Sequence, residues 1–188
     1  MKQENYVKKK FKIAITGNIG SGKTTISNII TKLGFKVFQS DKEVSKIYLK
    51  KNVKTNIASV FLKKIKNLFD EKGQIDRNVL GSYVFKDKKE LKKLEKIIYP
   101  ELYKIKKVFI NNNIKERILF FDVPLLFEKK LHYSYDKIIY LYTDEFTQKK
   151  RVLRRKNMNE EKLKTILKNQ LSRISSFDNF ISLKINTN

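Results

Sequence analysis

Eight consecutive residues carry a spacing suited to one kind of chemistry. Gly17-Asn18-Ile19-Gly20-Ser21-Gly22-Lys23-Thr24 fits G-x-x-x-x-G-K-[ST], and a second threonine, Thr25, follows. Gly17 lets the chain leave a strand in a sharp turn. Gly20 and Gly22 permit positive φ and a close backbone approach to a ligand. The N–H groups of such a loop converge into an anion nest, and a helix starting near Lys23 aims its positive end at the same point. Lys23 can reach the β- and γ-phosphates of a nucleoside triphosphate, and the Thr24 hydroxyl can hold Mg²⁺. The loop alone does not choose between a kinase, a GTPase and a motor.

Further groups can complete a reaction around that loop. Asp41 stands at the end of "FKVFQSD", a candidate strand, where a carboxylate can accept a proton from an acceptor hydroxyl or position Mg²⁺; it can equally cap the helix that follows. Asp122 ends "ILFFD" and is a candidate Mg²⁺ partner, directly or through water, or else a solvated strand end. Glu128 lies beyond the tight "VPLL" segment in a similar place. Arg151, Arg154 and Arg155 cluster in a chain whose cations are otherwise mostly lysine, and arginine's planar fork suits phosphate. Arg151 and Arg155, four apart, share a face if helical, as in a lid that carries arginines onto a transferring phosphate, or simply as a solvated face. His132 is the sole histidine and reads as a surface residue.

The elements that must hold these groups follow from the apolar pattern. "FKIAIT" (11–16) is a short buried strand stopped by Gly17. Ile26, Ile29, Ile30 and Leu33 fall at helical spacing before Gly34, and a second strand is expected over 35–41, which makes a right-handed strand–helix–strand unit. Residues from about 41 to 113 read as helices, with a turn at 70–76, punctuation at Pro100 and another turn at 111–113. Strands follow at "ILFFD", ended by Pro124, and at "KIIYLYT". A basic helix spans roughly 145–172 with a break near 157–159, and "FISLKIN" is a fifth strand. The pattern is α/β with a parallel sheet and a helical insertion.

Composition bounds the chemistry. The 188 residues suffice for one domain with a sizeable core. The lack of cysteine and the single histidine exclude disulfides and argue against a zinc site. No apolar run approaches a membrane span, so a cytoplasmic protein without membrane partners is expected, a monomer or weak oligomer. The net charge of +24 is carried mostly by lysine in a chain also rich in Asn and Ile. All three have A/T-rich codons, so base composition accounts for the charge. Attraction of a polyanionic small substrate is the functional reading. A nucleic-acid binder would be suggested by the charge alone, and no aromatic–basic RNA motif supports it.

Taken together, "ITGNIGSGKTT", "GFKVFQSD", "LEKIIYPEL", "FDVPLLFE" and "QKKRVLRR" resemble the dephospho-CoA kinase family from about residue 11 onward. "PLLFE" is the most specific of these stretches. The resemblance implies a P-loop kinase fold with a five-stranded parallel sheet. It implies a core over about 11–40 and 115–188, a CoA-binding insertion over about 41–113 and a lid over about 145–172. The implied reaction moves the ATP γ-phosphate to the ribose 3′-hydroxyl of dephospho-CoA with Mg²⁺. A kinase of another small acceptor, such as a nucleoside monophosphate, is the alternative.

By position, the resemblance makes Lys23, Asp41, Arg151 and Arg155 catalytic. ATP binding would fall to residues 17–25 and Asn186. The acceptor would be bound by Asp41, Arg77, Tyr99, Pro124, Leu125 and Leu126, and Mg²⁺ by Thr24 and Asp122. The chain departs from the family where Gln39 replaces an aspartate, where Tyr99 replaces a histidine before proline, and in the C-terminal "ISLKINTN".

Overall fold

The computed structural model describes residues 10–156, 158–170 and 174–188, apart from the side chain of Asn169. Five strands, β1 (Phe11–Gly17), β2 (Lys36–Gln39), β3 (Ile118–Asp122), β4 (Lys137–Tyr142) and β5 (Leu183–Asn186), form one sheet in the order β2-β3-β1-β4-β5. Every neighbouring pair is parallel. The inner strands are near-continuous apolar runs because both faces of a parallel sheet are covered. Ala14, Ile15, Leu119, Phe121 and Leu141 are fully buried.

The register sets the edge on which chemistry can be built. Ile15 pairs with Asp122 and with Ile139, and Gly17 pairs with Leu141. The phosphate-type loop therefore leaves the sheet just beyond the level at which β3 ends in Asp122. Helix α1 (Lys23–Lys32) returns over the sheet and packs Ile26 and Ile30 against it, while Ile29 and Leu33 stay exposed. The apolar face of α1 is thus narrower than its sequence spacing implies. Gly34, at φ +92, turns the chain into β2.

Residues Ser40–Asn112 form a second compact unit with its own core. It comprises α2 (Ser40–Ile47), α3 (Lys51–Phe61), α4 (Arg77–Val84) and α5 (Lys88–Asn112). Ile47, Val53, Ile57, Phe61, Leu80, Val84 and Ile98 meet at its centre. The expected turn at 70–76 is present as an Asp70–Gly73 reversal flanked by a Phe69–Ile75 bridge.

Four local expectations are corrected. The second strand stops at Gln39, and Ser40 and Asp41 open α2, both residue types that favour helix starts. Helix α5 runs unbroken through Pro100 and on through Asn111 and Asn112, its Leu94 and Ile98 anchored in the unit's core. The basic segment is interrupted as expected, but the interruption opens earlier, after Leu153, which leaves two helices, α6 (Glu145–Leu153) and α7 (Glu160–Asn169). The chain leaves the helix before Arg155 and restarts where the Asn159 side chain accepts from the Lys162 N–H at 2.9 Å. Arg151 and Arg155 therefore share no helix face. Asn157 and Ser172, at the expected break and end, lie outside the described residues. Finally, His132 is buried, only 5% exposed, ringed by Phe127, Tyr133, Phe177 and Phe180. Tyr133 is its neighbour in sequence, but Phe127 and the Phe177–Phe180 pair come from other stretches that no local pattern joins to it.

Candidate active site

The loop after β1 has the backbone its glycines predict. Gly20 and Gly22 have φ of +82 and +79, and Gly17 has φ +150. A Cβ on Gly17 would sit 2.2 Å from the Leu141 carbonyl oxygen, so β4 leaves no room for any other residue. Helix α1 begins on Gly22, which has no side chain with which to cap it. Its first N–H groups are left to an external acceptor, and the helix's positive end faces the same way.

Lys23 folds back over the loop. Its ammonium donates to the Gly17 carbonyl at 2.6 Å and to the Asn18 carbonyl at 3.0 Å. This fixes the charge above the loop before any ligand arrives, which lowers the ordering cost of binding an anion. Among the described residues the buried Ser21 hydroxyl has no hydrogen-bond partner. Thr24 and Thr25 are exposed at the start of α1.

Asp122 is buried at the end of β3, and the Ser27 hydroxyl of α1 approaches its Oδ2 at 3.5 Å. A hydroxyl from Thr24 and a carboxylate from Asp122 are hard oxygen donors of the kind Mg²⁺ takes. Among the described residues no group of three or more His, Cys, Asp or Glu side chains forms a self-sufficient metal cage.

Helix α6 lies against the loop. The Asp144 carboxylate caps it by accepting from the Thr147 N–H at 2.7 Å, and that bond holds the carboxyl below its usual range. The Gln148 side-chain amide donates to the Ile19 carbonyl at 2.8 Å. Arg151 donates to the Thr187 hydroxyl at 3.2 Å and to the Thr187 carbonyl, with a longer approach of 3.5 Å to the Gly20 carbonyl. The Thr187 hydroxyl lies 3.2 Å from the Ser21 carbonyl and 3.1 Å from the Tyr142 carbonyl, and its one hydrogen serves either. Arg155 is exposed beyond the end of α6. Asn186 closes β5, and its side chain accepts from the Asn188 N–H at 3.2 Å.

The "VPLLFE" segment is a tight turn. Leu125 sits in the left-handed region at φ +58, a costly place for leucine, while Leu126 is fully buried and Pro124 is half-buried. Glu128 lines a small cavity with Thr16, Gly17, Asn18 and Tyr140. Burial, with the Glu128 charge second, pushes the Tyr140 hydroxyl up from its ordinary value.

The helical unit holds the remaining candidates. Asp41 is exposed in the first turn of α2, where the Ser45 hydroxyl donates to its carbonyl at 2.9 Å. The same Ser45 oxygen accepts from Arg77 at 2.8 Å, and the Arg77 guanidinium stands 5.1 Å from the centre of the Tyr48 ring. Asp41 and Arg77 are thus joined through one hydroxyl. Tyr99 is exposed on α5, and its hydroxyl donates to Glu95 at 3.1 Å.

Sequence reasoning missed Gln170 and Thr187, which touch the loop from more than a hundred positions away. Gln148 had a signal, since it opens the Q-x-x-R stretch before Arg151. Nothing local marked the other two.

Comparison with known proteins bears on the fold and the family. Structures with the same fold include one from Thermus thermophilus (TM-score 0.83, 23% identity, 96% of this chain and 90% of that one). A dephospho-CoA kinase from Campylobacter jejuni aligns at TM-score 0.64 and 27% identity over 94% of this chain and 87% of that one. Shikimate kinase from Acinetobacter baumannii shares the fold at TM-score 0.51. A protein of Fusobacterium nucleatum named dephospho-CoA kinase is 39% identical over 160 residues, 85% of this chain and 81% of that protein. One of the same name from Aquifex aeolicus is 39% identical over 163 residues, 85% and 80%. The family model for dephospho-CoA kinase matches residues 11–178, from the first residue of β1 past the end of α7. With its glycine loop, its PLLFE turn and its arginine-bearing α6 in that span, the chain belongs to the dephospho-CoA kinase family.

Proposed function

We propose that this protein is an ATP-dependent kinase that moves the γ-phosphate of ATP to the ribose 3′-hydroxyl of dephospho-CoA, giving coenzyme A and ADP. The observation that carries this reading is the 39% identity to proteins named dephospho-CoA kinase, spread over 85% of the chain. A bond forms between the acceptor oxygen and Pγ as the bond from Pγ to the β-phosphate bridging oxygen breaks. The acceptor proton passes to the Asp41 carboxylate.

Most of the rate comes from positioning and charge neutralisation, since phosphoryl transfer needs little covalent help. Lys23 and the loop of residues 17–25 hold the triphosphate. Arg151 and Arg155, in a lid of about 145–172, meet the charge of the transferring group, and Asn186 lies on the nucleotide side. Thr24 and Asp122 would hold Mg²⁺, Asp122 directly or through water, and the bound ion would supply neutralisation of phosphate charge. The acceptor is bound by the helical insertion of about 41–113 through Asp41, Arg77 and Tyr99, and by the Pro124-Leu125-Leu126 turn. Tyr99 offers a ring and a hydroxyl in place of an imidazole. Among the described residues no helix is long and apolar enough to cross a membrane, and a cytoplasmic setting suits these substrates.

An ADP-release assay across acceptors tests the reading. Dephospho-CoA should turn over at least about a hundredfold faster than nucleoside monophosphates, as expected where one acceptor fits the site and the other does not. Equal or greater turnover of a nucleoside monophosphate would replace the acceptor. Asp41→Asn should lower kcat by about a hundredfold or more while the protein stays folded. A near-normal kcat would remove the proton-acceptor role.

A further inference from the structure

Ile19 lies inside the glycine loop, yet both of its main-chain polar groups are taken by glutamines from the far side of β4. Its N–H donates to the Gln170 side-chain oxygen at 3.0 Å, and its carbonyl accepts from the Gln148 side-chain nitrogen at 2.8 Å. Gln148 belongs to α6, and Gln170 follows the last residue of α7. Glutamine suits this double task because its amide carries both an acceptor and donors. The next residue is crowded as well. A Cβ on Gly20 would meet Val152 at 3.0 Å and Gln148 at 3.2 Å, so α6 is packed directly on the loop.

An N–H already given to a side-chain oxygen is not offered to phosphate. Ile19 therefore serves as the point at which the α6–α7 segment grips the loop, and the anion is left to the amides nearer α1. We propose that Gln170 is a positioning residue for phosphate binding: with Gln148 it pins the Ile19 peptide, holding the loop in its nest geometry and the Arg151-bearing helix against it. The proposal builds on the ATP-dependent reading above but concerns the nucleotide half of it alone.

The test is a titration of the full chain with fluorescent N-methylanthraniloyl ATP and, separately, with the corresponding AMP derivative. Gln170→Met keeps the length of the side chain and removes the acceptor. Loss of a partner for a part-buried N–H should raise the Kd for the ATP derivative about tenfold. The Kd for the AMP derivative, which engages less of the loop, should stay within about twofold. Gln148→Met should behave alike. The double variant should be little worse than either single one, because both side chains hold one peptide. Melting temperatures of the variants should stay within a few degrees of the parent.

Equal weakening of both derivatives would overturn the proposal, as would an unchanged ATP Kd or a double variant whose loss is the product of the singles. If Gln170→Met does not fold, Gln170→Asn, too short to reach Ile19, is read in the same titration against the same outcomes. No acceptor is present in this experiment. A protein inactive on dephospho-CoA would therefore sink the acceptor assignment and leave the ATP–AMP difference to judge Gln170.

Discussion

Gly20 shows at the scale of one residue how closely the loop is fitted. Its φ of +82 is a conformation that an L side chain adopts at a cost of about 1–2 kcal/mol, and a methyl group there would press on Val152 at 3.0 Å and on the Gln148 carbonyl at 3.2 Å. Gly20→Ala should therefore both strain the loop and push α6 away from it. Chemical denaturation should report a loss of about 1–2 kcal/mol, and ATP affinity should fall by tenfold or more. A variant that binds ATP normally would mean that the loop and α6 are not mechanically coupled. The motif spacing announced Gly20 and Lys23 in the sequence. The same spacing says nothing of Ile19, whose partners are 151 and 129 positions away. A main-chain contact with a distant side chain leaves no periodicity to read.

At the scale of elements, α6 and α7 carry their start signals in the sequence, while the start of α2 was hidden in the expected strand. Asp144 and Asn159 each stand immediately before a helix and each accepts a first-turn N–H. The end of β2 was misjudged because the strand was carried on to the carboxylate of Asp41, whereas Ser40 and Asp41 open α2. Pro100 was read as punctuation, yet α5 continues because its packed face on either side fixes the helix more strongly than one lost hydrogen bond loosens it. The clearest element-level test is the cap of α4. The Asp76 carboxylate accepts from the Asn78 N–H at 2.8 Å and the Val79 N–H at 3.1 Å, and Arg77 is the first residue of that helix. Asp76→Ala should cost about 1 kcal/mol of stability by urea denaturation. If Arg77 binds the acceptor, KM for dephospho-CoA should rise several-fold with kcat little changed. A fall in kcat alone would assign Arg77 to the transition state instead.

Across the whole molecule, the parallel sheet was legible because buried strands are short apolar runs that turn residues bound cleanly, and the strand–loop–helix–strand unit fixes their direction. The burial of His132 was not legible, since Phe127, Phe177 and Phe180, which cover its ring with the adjacent Tyr133, come from two other stretches of the chain. Nor did the +24 charge reveal how the few carboxylates are used. In the helical unit two of them are each shared between two lysines. Glu101 accepts from Lys104 at 2.8 Å and Lys50 at 2.7 Å, and Glu90 accepts from Lys64 at 3.0 Å and Lys93 at 2.7 Å. Lys104, then Lys50, hold the Glu101 carboxyl down from 4.5 to about 2. A folded-state value below the unfolded one adds stability above the unfolded value, and that stability is lost as the carboxyl protonates. The stabilisation from Glu101 is therefore complete above about pH 4.5 and disappears as pH falls toward about 2. Glu101→Gln should melt below the parent at pH 7, by a modest margin because Lys104 is 70% exposed and solvent screens the pair. The two melting curves should converge as pH falls through that window. A gap of the same size at pH 7 and at the acid end would show that Glu101 acts through its shape rather than its charge.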